Sequence, residues 1–158
     1  MKKLYLLRHA KSSWENLDLE DFDRPLNNRG KNQLLYMKEF IIKNKIKPEL
    51  ILCSTSNRTK LTNKGIFNKE NTIYMDNLYH ASNKELQRII KSIDNKINNI
   101  MIIGHNPGLN EFAYELINFQ KNIQTASLLE IDILVNNWDE INSKNSRFIS
   151  YTNPPKKN

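Results

Sequence analysis

The chain has 158 residues, 39% of them hydrophobic and 26% charged, which is typical of one globular domain with its own core. A single cysteine and three histidines exclude a disulfide framework and a multi-cysteine metal site, and the histidines lack the spacing of a helical metal pair. No apolar run approaches the roughly 18–20 residues of a membrane helix, and the basic start lacks the apolar region of a secretion signal, so we expect a cytoplasmic protein.

The net charge of +7 is compatible with an anionic partner. The lysines are scattered along the chain rather than gathered in stripes, and no aromatic–basic interleaving of the kind that stacks bases occurs. We therefore expect neither nucleic acid nor a membrane as the partner, but a phosphorylated or acidic substrate.

Apolar runs alternate with helical patterns along the chain. In chain order, we predict a strand over 3–7, a helix over about 28–45, a strand over 50–53, a helix over about 56–68, a strand over 72–75, a helix from 82, a strand over 100–103, a helix from 106, and strands over 127–134 and about 147–151. This alternation predicts an α/β fold, a sandwich with a mostly parallel central sheet flanked by helices. Residues 1–152 form the expected single domain, and residues 153–158 are expected to be a loose tail.

Two predicted helices carry start signals. Ser82 and Glu85 have the spacing of a capping box, and the apolar face that follows is predicted to extend to Ile97. Asn106 and Pro107 are typical of the N-cap and first helical positions.

Basic side chains follow three of the predicted strands. The first strand ends in Arg8 and His9, the second leads to Ser54 with Arg58 one helical turn on, and the fourth runs into the segment 104–107 (Gly-His-Asn-Pro). In such sheets, ligands bind beyond the carboxyl ends of the strands, so these groups are expected to share one site.

The identity of the basic residues suggests the ligand. Six arginines stand against eighteen lysines, and four of the six follow the first two strands: Arg8, Arg24, Arg29 and Arg58. Arginine at these places indicates that binding uses the planar guanidinium, which can donate two parallel hydrogen bonds to one anion. Together with helix N-termini, such groups form a phosphate site, in which a neutral imidazole is a competent nucleophile.

Each feature also has a structural interpretation. A histidine after a strand can bond to the backbone, a Gly-His-Asn-Pro segment can be a simple corner, and Arg58 can be an exposed helical arginine. The joint occurrence at three strand ends favours the phosphate site.

Three segments resemble motifs of the histidine phosphatase superfamily, also called the phosphoglycerate mutase-like superfamily. Leu7-Arg8-His9-Ala10 resembles its Arg-His-Gly signature, the segment 54–62 resembles its second motif, and the segment 104–107 its third. The short chain and the segment 23–30 are similar to the SixA-type phosphohistidine phosphatase branch. The resemblance covers about residues 3–132, with Ala10 and Ser56 where many members have glycine and alanine.

The resemblance implies a mechanism and a fold, the three-layer sandwich of that superfamily. His9 would attack phosphorus and become phosphorylated, while Arg8, Arg58 and a cationic His105 hold the phosphoryl oxygens. Water would then hydrolyse the phosphohistidine, with no metal or other cofactor. Arg24 and Asn106 are further candidates for phosphate contacts.

The proton donor for the leaving group is the open question. Superfamily members that cleave esters often place a carboxylate shortly after the third strand, where this chain offers only Asp76. The other candidates are His80 and three carboxylates in the loop after His9, namely Asp18, Asp21 and Asp23, of which Asp21 is preferred. An imidazole leaving group needs less help, and the absence of a long insertion predicts an open, shallow site. The leading hypothesis is therefore a monomeric phosphatase for phosphohistidine in a protein. A phosphatase for small esters and a non-catalytic phosphate-binding module remain as alternatives.

Overall fold

The computed structural model describes residues 1–67 and 71–156. In this part of the chain, six strands form one sheet: β1 (Lys2–Arg8), β2 (Leu50–Ser54), β3 (Thr72–Met75), β4 (Asn99–Gly104), β5 (Leu128–Ile133) and β6 (Ser146–Thr152). The α-helices of the same ranges are α1 (Asn28–Lys43), α2 (Asn57–Ile66), α3 (Asn83–Lys91) and α4 (Gly108–Ile117).

The strand order is β3-β2-β4-β1-β5-β6. The four strands from β3 to β1 are parallel, and β5 and β6 add two antiparallel strands at one side. This confirms the predicted α/β fold with a mostly parallel sheet. Because β2, β4 and β1 are neighbours and run in one direction, their carboxyl ends meet at one edge of the sheet.

Two apolar cores lie on the two faces of the sheet. Leu4 and Leu6 of β1 join one core with α3 and α4, whereas Tyr5 and Leu7 join the other with α1 and α2. The alternation follows from the two-residue period of a strand. Residues 4–7 in the centre of β1 are buried on both faces of the sheet and are therefore all apolar, whereas the charged Lys2, Lys3 and Arg8 stand at the ends of the strand.

Two predicted helix boundaries are wrong by a few residues. The Ser82 hydroxyl accepts from the Glu85 amide as predicted, but α3 ends at Lys91, because the Ser92 hydroxyl and amide both donate to the Ile89 carbonyl. Ile97 therefore packs against the core from beyond the helix. The N-cap of α4 is Pro107 rather than Asn106, although the Asn106 carboxamide oxygen accepts from the Asn110 amide.

Other predicted boundaries concern the chain's C-terminal end and the α2 helix. Residue 68, the predicted end of α2, lies outside the described residues, as do residues 157–158 of the predicted tail. In the first part of that tail, Asn153 accepts from the Ser127 hydroxyl and Pro154 is buried. None of the helices within the described ranges has the length and apolar character needed to cross a membrane.

Candidate active site

The carboxyl ends of β1, β2 and β4 surround a cavity of about 200 Å³. Seven residues selected from the sequence line it: Arg8, His9, Arg24, Arg58, His80, His105 and Asn106. The eighth, Asp21, contacts two of the lining arginines. Residues from five separate segments of the chain therefore converge here because the parallel strands end together.

His9 follows β1 and is 7% exposed. Its Nδ1 lies 2.8 Å from the carbonyl oxygen of Ala10, which can only accept a hydrogen bond, so Nδ1 carries the proton. Nε2 is then the unprotonated nitrogen, and the Arg58 Nε donates to it at 3.4 Å. Burial, reinforced by the positive charges of Arg58 and Arg8, lowers the pKa of His9 to about 3 although the bond to Ala10 opposes this. The imidazole is therefore neutral with its lone pair at Nε2.

Arg58 lies in the first turn of α2 and is held by Asp21. Its Nη1 donates to the Asp21 carbonyl at 2.8 Å, and its Nη2 donates to the Asp21 carboxylate at 3.1 Å. The helix begins here because the Ser56 hydroxyl accepts from the Thr59 amide and caps the first turn. The guanidinium is thus fixed on both sides, by His9 through Nε and by Asp21 through its two outer nitrogens.

Asp21 also binds Arg24, with Nε and Nη2 at 3.1 and 3.0 Å from the same carboxylate oxygen, and the Tyr79 hydroxyl donates to the other. Burial alone would raise the pKa of the Asp21 carboxyl, but the bond from Tyr79 and the charges of Arg58 and Arg24 hold it well below its usual range. Asp21 is therefore ionised at neutral pH and has no proton to donate, which favours a positioning role over its predicted role as proton donor.

Arg24, a predicted phosphate contact, is buried and lines the cavity. Its Nη1 donates to the Ser12 hydroxyl at 2.6 Å, and its guanidinium stacks on the Trp14 ring with the guanidinium carbon 3.6 Å from the ring centroid. With Asp21 on its remaining side, Arg24 is fixed in orientation.

His105 follows β4, with its ring centroid 5.2 Å from that of His9. The Ser54 hydroxyl lies 2.9 Å from its Nε2; among the described residues this nitrogen is the one acceptor within reach of the hydroxyl proton, so the hydroxyl donates to His105. Nδ1 then carries the proton. Burial, followed by the neighbouring His9 and Arg58, lowers the pKa of His105 to about 2, so this desolvated imidazole is neutral in the free protein. A cationic His105 beside a bound phosphoryl group stays a prediction.

Two buried donors in the cavity wall have no partner. Among the residues that the structure describes, the Nδ1 of His105 and the Nε of Arg8 make no hydrogen bond. Unsatisfied buried donors are costly, and an anion with several acceptor oxygens would satisfy both.

The two other predicted residues differ in their availability. The amide of Asn106 donates to the Ile123 carbonyl at 2.9 Å and its oxygen accepts from Asn110, so this side chain holds a loop rather than facing a ligand. His80 is exposed at the cavity, and its ring lies 3.9 Å from that of Tyr79 between centroids. His80 thus remains free to meet a leaving group.

Sequence reasoning missed several residues of the site. Lys11, Ser12, Trp14 and Thr125 also line the cavity. An open, shallow site stays a prediction; the structure shows that the loop after β1 brings Asp21 onto Arg58, whose side chain is buried. The acidic residues of that loop, in a chain with an arginine-rich site, were the sequence signal that could have predicted this contact between the loop and the site.

Within residues 1–67 and 71–156, no group of three His, Cys, Asp or Glu side chains is arranged to hold a metal ion. Cys53 is buried at the end of β2, and burial raises the pKa of its thiol to about 12.

The comparisons with known proteins agree on one fold. No family model matches the chain. It is 31% identical over 152 residues to an uncharacterised chloroplastic protein of Arabidopsis thaliana, covering 88% of this chain and 70% of that protein.

Two solved structures extend the comparison. One, assigned as the phosphohistidine phosphatase SixA of Agrobacterium tumefaciens, has a TM-score of 0.83 at 26% identity and covers 97% of this chain and 98% of that one. Another, assigned as SixA of Nakamurella multipartitia, has a TM-score of 0.87 at 17% identity and covers 97% and 96%. The protein has the fold of the histidine phosphatase, or phosphoglycerate mutase-like, superfamily. Within it, the structure resembles the SixA-type branch, as the sequence motifs predict.

Proposed function

We propose that this protein is a phosphatase that uses His9 as its nucleophile and acts on phosphohistidine in a protein. The observation that carries the proposal is the protonation state of His9. Its Nδ1 proton is fixed by the Ala10 carbonyl, so Nε2 presents a lone pair beside the Arg58 guanidinium. A neutral imidazole next to a cationic fork is the arrangement that phosphoryl transfer to nitrogen requires.

The reaction proceeds in two displacements. First, His9 Nε2 forms a bond to phosphorus, the bond from phosphorus to the leaving nitrogen breaks, and the leaving imidazole takes the electron pair and a proton from bulk water, to which the second step returns a proton. Second, water attacks phosphorus, the bond to His9 breaks, and inorganic phosphate leaves. Arg8, Arg24 and Arg58 offset the negative charge on the phosphoryl oxygens, and the Nδ1 proton of His105 donates to one of them.

The leaving group follows from the acids available. Asp21 is ionised and bound to two arginines, and Asp76 accepts from the Thr55 hydroxyl instead of lining the cavity. Without a carboxylic acid in place, a weakly basic imidazole leaves more readily than an alkoxide. The SixA names of the similar structures support the same substrate.

One observation favours a second candidate, a phosphatase for small phosphate esters. His80 is exposed at the cavity and could protonate an alkoxide. The protein would then lose ester hydrolysis selectively in the His80→Gln variant.

The remaining features of the proposal follow from the composition of the site. A monomer acting through a domain over residues 1–152 is part of the proposal. Three arginines supply positive charge, which supports catalysis without a metal. The cytoplasm is the proposed compartment.

The test is phosphate release from a histidine-phosphorylated protein and from phenyl phosphate, measured with wild type, His9→Ala and His80→Gln. We expect release from the phosphohistidine protein that His9→Ala abolishes and His80→Gln preserves. Preference for the ester, with loss in His80→Gln, would replace the proposal by the second candidate. Binding of phosphate without release from either substrate would identify a binding module and overturn the proposal.

A further inference from the structure

We propose that Trp14 forms a subsite for a planar leaving group, so that the site selects phosphoryl donors whose leaving atom belongs to an aromatic ring. This inference rests on the proposed function and adds a specificity-determining residue to it. Trp14 lines the same cavity as His9 and Arg58, yet its side chain is 62% exposed. A large aromatic side chain at the mouth of a cavity can contact the part of a bound substrate that extends out of the cavity.

The indole is held in place. The Arg24 guanidinium lies against the ring at 3.6 Å from its centroid, and Arg24 is itself fixed by Ser12 and Asp21. The backbone next to Trp14 is also fixed, because the amide of the preceding residue, Ser13, donates to the Pro25 carbonyl. Ordering this side chain therefore costs little entropy when a ligand arrives.

The stacking leaves one ring face for a ligand. Arg24 occupies one face of the indole, and the exposed fraction of Trp14 belongs to the rest of the ring. With the phosphoryl group among the arginines at the base of the cavity, the leaving group must extend toward its mouth. An imidazole or phenyl ring there can stack on the indole, whereas an ammonia or short alkyl leaving group offers no matching face.

The test compares substrates with and without a ring on the leaving atom, and it follows how the ratio between them changes from wild type to variant. N-phosphohistidine and phosphoramidate both carry a bond from phosphorus to nitrogen, but only the first has a ring; phenyl phosphate and ethyl phosphate form the corresponding ester pair. In the Trp14→Ala variant, the ratio of kcat/KM for the ring-bearing member over its partner should fall about two- to tenfold in both pairs. The Trp14→Phe variant should restore most of the ratio, and Leu17→Ala, an exposed residue of the same loop, should leave it unchanged.

The ratio separates selectivity from a structural effect. Loss of the indole could also loosen Arg24, but that change would lower kcat/KM for both members of a pair by one factor. An unchanged ratio in Trp14→Ala, with hydrolysis still abolished by His9→Ala, would overturn the subsite and leave the phosphatase intact. Hydrolysis that survives His9→Ala would instead refute the proposed function itself.

Discussion

Replacing Asp21 by Asn removes the one carboxylate that joins the two arginines. In the native protein, this carboxylate accepts from Arg24 at 3.0 Å and from Arg58 at 3.1 Å, and also from the Tyr79 hydroxyl. Asn keeps one acceptor oxygen but places an amide donor where a second acceptor was. One of the two arginines must then lose its partner and its fixed orientation.

The size of the effect follows from exposure. The Asp21 side chain is 41% exposed, so each ion pair is screened and worth about 0.2–1 kcal/mol. The side chains of Arg24 and Arg58 are only 7% and 6% exposed, and leaving a buried donor unsatisfied costs about 1–3 kcal/mol. We expect a total loss of about 1–3 kcal/mol in the free energy of unfolding, or roughly 2–10 °C in Tm for a chain of this length.

The pH dependence of this difference has a defined sign. The pKa of Asp21 is lowered by folding, so its stabilisation is present above the ordinary carboxyl pKa and is lost as the pH falls below about 4. Thermal unfolding of wild type and Asp21→Asn should therefore converge in that range. Asp23→Asn is the matched control, since Asp23 lies two residues away and is exposed.

The kinetic assay distinguishes positioning from proton donation. If Asp21 acts through Arg58, Asp21→Asn should lower kcat/KM for phosphohistidine, phenyl phosphate and ethyl phosphate by similar factors. A proton donor would be missed most by ethyl phosphate, which has the most basic leaving group. A loss confined to ethyl phosphate, or unchanged stability and kcat/KM, would refute the positioning role.

Three further predictions concern the same site. Arg8→Ala and Arg58→Ala should each lower kcat by roughly 10²–10⁴ in phosphate-release assays, as loss of a preorganised charge does, whereas the exposed Arg147→Ala should not; a change below threefold contradicts the role. EDTA should leave phosphate release unchanged, and strong inhibition would contradict metal-free catalysis. From pH 8 to pH 5, the free energy of unfolding, measured in urea, should fall by about 1–2 kcal/mol for each of His9 and His105. The reason is that both imidazoles bind a proton in the unfolded chain over this range, whereas burial keeps them neutral in the folded protein. His9→Gln should reduce that fall, and an equal fall would show that His9 is not responsible.

The order of elements was predictable because it depends on local patterns. The centres of β1 and β4 are apolar runs, and the period of Leu34, Met37 and Ile41 marks the buried face of α1. The predicted end of α3 was wrong because its apolar period continues past Lys91, whereas the Ser92 side chain terminates the helix. Periodicity records which residues are buried, and it does not record where the backbone stops being helical.

The sequence by itself determined the elements and which basic side chains stand at the strand ends, since strand direction alone brings Arg8, His9 and His105 to one edge. Only the tertiary structure decided how those groups are protonated and held. The neutral state of His105 arises from burial, the low pKa of Asp21 from the Tyr79 hydroxyl and two arginines, and the position of the Trp14 ring from its stack on Arg24. Desolvation and contacts between distant segments depend on three-dimensional packing, which no local pattern in the chain records.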